Sequence, residues 1–143
     1  MKNNYFIILI IIFTIPNLIQ SQVTEIATGF NYPTDLEISG NYLFVTQATP
    51  GIVSKIDLTE STPTITDVVT GLNQPRGILI DGNTLYIAQS NNGVISKVDI
   101  TETNPTLIDI ATGFNYPTDL ELSDNYLFVT QATPGIVSKI DLT

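Results

Sequence analysis

The side chains in this sequence that could do chemistry are carboxylates, amides, tyrosines and one arginine, and most of them recur. Asp35 and Asp119 occupy matching places, as do Glu37 and Glu121, Tyr32 and Tyr116, and the three glutamines Gln47, Gln89 and Gln131; Arg76 stands once. Carboxylate and amide oxygens are the donor set that suits Ca²⁺. Two carboxylates could share acid–base work, and Glu37 and Glu121 are the pair for it. The rings of Tyr32 and Tyr116 could stack on a sugar. Each of these residues also has a plainer use: polar side chains of these types cap strand ends and hold turns, and Glu37 and Glu121 would serve equally as solvated charges. The chain contains no Cys, His or Trp. Thiolate zinc sites, imidazole bases and disulfide staples are therefore excluded within it.

The elements that must position these groups follow from a repeat. Gly29, Gly71 and Gly113 are 42 residues apart, as are Pro33, Pro75 and Pro117, and Lys55, Lys97 and Lys139. Each unit reads as short alternating strands broken by Gly, Pro and Asn. Strands are expected near 35–38, 42–47 and 52–58, with a fourth at 65–70, and again one and two periods later. Residues 23–28 have the same pattern as that fourth strand. Turns fall at Ser39-Gly40-Asn41, Asp81-Gly82-Asn83 and Ser123-Asp124-Asn125, where Gly and Asn tolerate positive φ. No long window sustains helical apolar spacing. A strict period of this size with four antiparallel strands per unit is the signature of a β-propeller blade. The expected fold is all-β, an incomplete ring of about three blades, over units near 26–67, 68–109 and 110–143, the last one truncated.

Segments 27–59 and 111–143 differ only at Ile38 against Leu122 and Gly40 against Asp124. Identity reaching into loops exceeds what packing requires, and implies duplication of a two-unit segment. Tyr42, Tyr86 and Tyr126 are expected in the core, and the Lys55/Asp57, Lys97/Asp99 and Lys139/Asp141 pairs as exposed ladders of little energetic weight.

The first 21 residues read as a secretory signal, with Lys2 as the positive start, an apolar stretch over 5–15 and Pro16 before a polar exit. That apolar stretch is short for a membrane span, so no stable span is expected once it is cleaved. The mature region, 22–143, would be secreted, periplasmic or at a cell surface. With a formal net charge of −9 for the whole chain, nucleic acid is a poor partner. A protein or carbohydrate ligand is the expectation that remains. A closed propeller usually needs four to eight blades. The chain is therefore expected either to be a segment of a longer propeller or to form a homodimer, each copy lending residues 23–28 to the other's last blade.

The run Asn73-Gln74-Pro75-Arg76-Gly77-Ile78, followed by Asp81-Gly82-Asn83 and Leu85-Tyr86-Ile87-Ala88, resembles the NHL family of repeats. The outer units, with Asn41-Tyr42-Leu43-Phe44-Val45-Thr46 and Val53-Ser54-Lys55-Ile56-Asp57, resemble the YVTN-type repeats of bacterial surface-layer propellers. They depart from the NHL pattern in carrying Asp35 and Asp119 where it has glycine. The resemblance implies that the loops before the first strands and after the second strands share one face. That face would bring together Tyr32, Asp35, Gln47, Arg76, Gln89, Tyr116, Asp119 and Gln131 as candidate ligand-binding residues, with Thr34 and Thr118 beside them and Asp35, Arg76 and Asp119 near the channel mouth. It implies a binding or surface-interaction module and no defined catalytic set. The alternative is a gluconolactonase-like metal-dependent hydrolase, with Ca²⁺ as the cofactor to consider. Lyases of this fold that depend on histidine do not fit, because the chain has none.

Overall fold

The computed structural model describes residues 21–143, so the secretory signal assigned to the first 21 residues lies, but for Ser21, outside the described residues. Eleven strands form three antiparallel sheets: β1 (Pro33–Ser39), β2 (Tyr42–Gln47), β3 (Ile52–Asp57) and β4 (Thr66–Val69); then β5 (Pro75–Asp81), β6 (Thr84–Gln89), β7 (Val94–Asp99) and β8 (Ile108–Thr112); and last β9 (Pro117–Ser123), β10 (Tyr126–Gln131) and β11 (Ile136–Asp141). Within each sheet the strands are ordered as they occur in the chain. The inner strands β1, β5 and β9 lie side by side. The result is three blades in an open arc.

The tight turns inside each sheet follow from residue type. Gly40 and Gly82 take φ of +58° and +57°, and Asp124 takes the same left-handed conformation at +52°. The register is that of a simple meander: Leu36 faces Val45 and Val45 faces Ser54, and the pattern repeats through the second and third blades. Prolines open β1, β5 and β9, where a missing amide donor costs least. A bulge follows each of Pro33 and Pro75, and β9 has one at the same end.

The second strands β2 and β6 are buried on both faces over most of their length, β6 because its blade lies between two others, whereas β10, in the last blade of the arc, alternates buried with half-buried residues. Phe44 and Val53 of the first blade pack with Val69 and Leu72 against Ile78, Leu85, Ile87 and Val98 of the second. Tyr86, Ala88 and Ile95 of the second pack against Leu120, Leu127 and Val129 of the third. Burying side chains of this size contributes about 1.5–3 kcal/mol each. These two apolar seams hold the blades together. The backbone beside the first seam is tightly closed within the first blade: the Leu72 amide donates to the Gly51 carbonyl at 3.0 Å, and a Cβ on Gly51 would come within 2.1 Å of the Leu72 oxygen.

Three expectations are corrected. Residues 23–28 form no strand, and Val23 is 98% exposed. The equivalent segments become β4 and β8, each paired with the strand before it, β3 and β7; among the described residues, 23–28 pair with no strand. Instead Ala27 of this segment and Phe30 just after it pack over Leu43, Val45 and Ile56. Second, Tyr42 and Tyr126 are at the surface, with Lys55 Nζ and Lys139 Nζ stacked 4.7 and 4.1 Å from their ring centres. Tyr86 alone is core, since its register matches Phe44 and Phe128 rather than Tyr42. Third, the Asp57 and Asp99 carboxylates do not build ladders with lysine. They accept from the hydroxyl and amide of Thr59 and Thr101, and Asp141 does the same with Thr143.

Candidate functional site

The candidate residues sit where the inner and second strands meet their loops, and they divide into two sets. The first is turned inward. The Asn31 amide donates to Gln47 Oε1 at 2.7 Å, Gln47 Nε2 donates to Ser54 Oγ at 2.7 Å, and that hydroxyl donates to Asp67 Oδ1 at 2.8 Å. The second blade repeats the chain through Asn73, Gln89, Ser96 and Asp109. The third repeats it through Asn115, Gln131 and Ser138. All three glutamines are buried. Their amides tie the loop before the inner strand to the third strand and, in the complete blades, to the fourth. Buried polar groups need such partners, and here each amide is occupied. These interior relays are a signal that the sequence carries: Ser54, Ser96 and Ser138, and likewise Asp67 and Asp109, keep the 42-residue period.

The second set faces solvent. Tyr32, Gln74 and Tyr116 precede the prolines that open β1, β5 and β9, and all three take left-handed backbone, with φ of +55°, +49° and +52°. Such a conformation is rare for a tyrosine. It persists because the carbonyls are fixed: Tyr32 O accepts from the Ala48 amide at 3.1 Å, Gln74 O from the Ser90 amide and hydroxyl, and Tyr116 O from the Ala132 amide at 3.0 Å. With this backbone Tyr32 is 71% exposed and Tyr116 46% exposed. Gln74 and Arg76 are exposed between them in the repeat order. Two aromatic rings and two polar side chains thus stand on matching loops of three adjacent blades.

Asp35 bridges blades. Its Oδ1 accepts from the Leu36 amide at 2.9 Å and its Oδ2 from the Ile78 amide of the next blade at 2.8 Å. Asp119 accepts from the Leu120 amide at 2.9 Å. Glu37 lies near both aspartates and Glu121; burial, then Asp35, and then the more distant carboxylates hold its carboxyl above the usual range. That arrangement does not suit Ca²⁺. Among the described residues no three carboxylates converge to hold an ion, and the Asp35 carboxylate and the glutamine oxygens are already bonded to backbone amides. An open groove of about 330 Å³ at the outer rim, lined in part by Lys55, Asp67, Thr101 and Glu102, contains none of the candidate residues.

The model of the LVIVD repeat, a β-propeller-type repeat, matches residues 32–53 and 74–112. No curated protein matches the chain. Among solved structures the chain is similar to the computationally designed protein Ika8, with a TM-score of 0.58 at 18% identity over 77% of this chain and 33% of that one. It is similar to the designed protein Ika4, with a TM-score of 0.53 at 13% identity over 87% of this chain and 99% of that one. The N-terminal domain of Nup159 gives 0.53 at 16% identity over 76% of this chain and 29% of that one. The chain thus spans about a third of Ika8 and less of the Nup159 domain. At such identities the likeness concerns the fold alone. With the sheet topology it establishes that the described residues are all-β and built of propeller-type blades in an open arc.

Proposed function

We propose that the chain is an exported propeller segment of NHL/YVTN character that binds a ligand at the cell surface, with a carbohydrate as the ligand the loops fit best. The observation that carries this is the pair Tyr32 and Tyr116. Both rings are solvent-exposed on backbone held in a conformation that tyrosine rarely adopts. Backbone strain that the surroundings over-determine is concentrated at sites of function. A fixed backbone has little entropy left to lose on binding, and the exposed ring it carries offers a flat apolar face to a pyranose. Gln74 and Arg76 supply donors on the matching loop of the blade between the two tyrosines. Export follows from the composition of the first 21 residues. The hydrolase alternative ranks below binding, because its metal would need a set of converging oxygen donors, and the Asp35 carboxylate and the three glutamine oxygens are already engaged by backbone amides.

The test is titration of soluble oligosaccharides of differing linkage into the protein, followed by NMR line positions of the Tyr32, Gln74 and Tyr116 amides. The double variant Tyr32→Asn and Tyr116→Asn keeps the left-handed backbone accessible and removes the rings. The expected result is saturable binding that the double variant lowers at least about tenfold, the equivalent of about 1.4 kcal/mol. Unchanged affinity in a folded double variant would refute the aromatic platform. Binding of peptides but no sugar would move the ligand class to protein.

A further inference from the structure

The trailing face of the third blade is uncovered, and the molecule contains the same face covered. Val53 and Ile95 have no solvent exposure, whereas Val137, one period on, is 66% exposed. Ile136 is 47% exposed where Val94 is buried. In the first blade the Thr34 hydroxyl donates to the Pro75 carbonyl at 3.0 Å, and the Thr46 hydroxyl donates to the Arg76 carbonyl at 2.9 Å, both across the seam. Thr118 and Thr130 repeat the pair, with their hydroxyls 2.9 Å apart, and reach no following blade. Because segments 27–59 and 111–143 are nearly identical, the covered first seam shows what the open face accepts.

That seam also shows which kind of blade fits. Asp35 crosses it to the Ile78 amide, and the neighbouring residue there, Gly77, has no side chain to compete for that amide. In an outer unit the equivalent amide is already engaged: Leu36 N–H donates to Asp35 of its own unit, and Leu120 N–H to Asp119. An outer unit placed after the third blade would therefore set its own aspartate against Asp119, two carboxylates competing for one amide. Like charges so placed repel, and one is left without its donor. A middle unit presents a free amide and no carboxylate.

We propose that the open face of the third blade is a docking surface for one further repeat unit of the middle kind, with glycine at the position of Gly77, and that Asp119 selects it. This rests on the arc being part of a larger ring, as proposed above. A second copy of this chain offers Asp35 and Leu36 at its free edge and is the disfavoured occupant.

The experiment extends the full chain after Thr143 by a copy of residues 60–101, which completes the third blade's fourth strand and adds a middle unit. The control extension, residues 102–143, has the same length and register and adds an outer unit. A third protein carries Gly77→Asp in the appended middle unit only. Nothing follows that unit, so the new side chain meets no further blade. Thermal unfolding by far-UV circular dichroism and mass by light scattering are read for each. The middle extension is expected to be a monomer that melts above the outer extension, with Gly77→Asp lowering its midpoint by about 5 °C. Equal midpoints for all three extensions would overturn the selection by Asp119. If no extension melts above the parent chain, the arc reading itself fails. A parent chain that is a discrete dimer, made monomeric by Val137→Glu, would assign the face to a second copy and overturn the proposal.

Discussion

Val53 and Val137 are the same residue in the same local sequence, and alanine at each should have different consequences. Val53 has no exposure and sits in the seam between the first two blades. Val53→Ala removes two methyl groups, about 0.8 kcal/mol each by transfer, and leaves a cavity that the seam closes only in part. The expected loss is about 2–2.5 kcal/mol. Val137 is 66% exposed, so about a third of the transfer energy is at stake and no cavity forms; the loss should be about 0.5 kcal/mol. For a domain of this size these amounts correspond to midpoint shifts of about 8 °C and 2 °C. Thermal melts and urea titrations followed by far-UV circular dichroism would resolve them, and unchanged urea slopes would show that the unfolding unit is the same. Equal losses at the two sites would refute the reasoning, since they would mean that the third blade's face is covered in solution.

The buried relay should be as costly to break. Ser96→Ala leaves Gln89 Nε2 without its acceptor and Asp109 without a donor, and should cost about 1–3 kcal/mol; a loss below about 0.5 kcal/mol in urea titration would mean that water replaces the hydroxyl. Glu37 predicts a pH effect. Its carboxyl is held above its ordinary value of 4.5, so its neutral form favours the fold. That contribution is fully present below 4.5 and is lost as pH rises through the elevated folded value. Glu37→Gln should therefore remove a decline in melting temperature seen on raising pH above 4.5. Asp57, Asp99 and Asp141 act in the opposite sense and in a lower window: their hydrogen bonds to Thr59, Thr101 and Thr143 hold them below 3.8, and the stability they give is lost as pH falls through those lowered values. A pH profile of melting unchanged by Glu37→Gln would contradict the assignment.

Much of the blade was legible in the chain itself. The second strands occupy 42–47, 84–89 and 126–131 as alternation and β-branched content predict, and the turns fall where Gly, Asn and Asp permit positive φ. These are local properties, settled within a few residues. The candidate site was legible only in outline. The period picked out Gln47, Gln89 and Gln131, yet nothing local says that an amide at a strand end turns inward to a serine seven residues on. Tyr32 and Tyr116 were singled out for their rings, but their left-handed backbone depends on bonds to residues 48 and 132.

What the tertiary structure alone decided was burial between blades. Residues 23–28 have the composition of a fourth strand, yet among the described residues they pair with none, whereas β4 and β8, of the same composition, pair with β3 and β7. Segments 27–59 and 111–143 make the point directly. Nearly the same sequence yields nearly the same sheet, and yet Val53 is sealed and Val137 is open. Hydrogen-bond register within a blade is a property of that blade's own residues. Whether its faces are dry is a property of the neighbour.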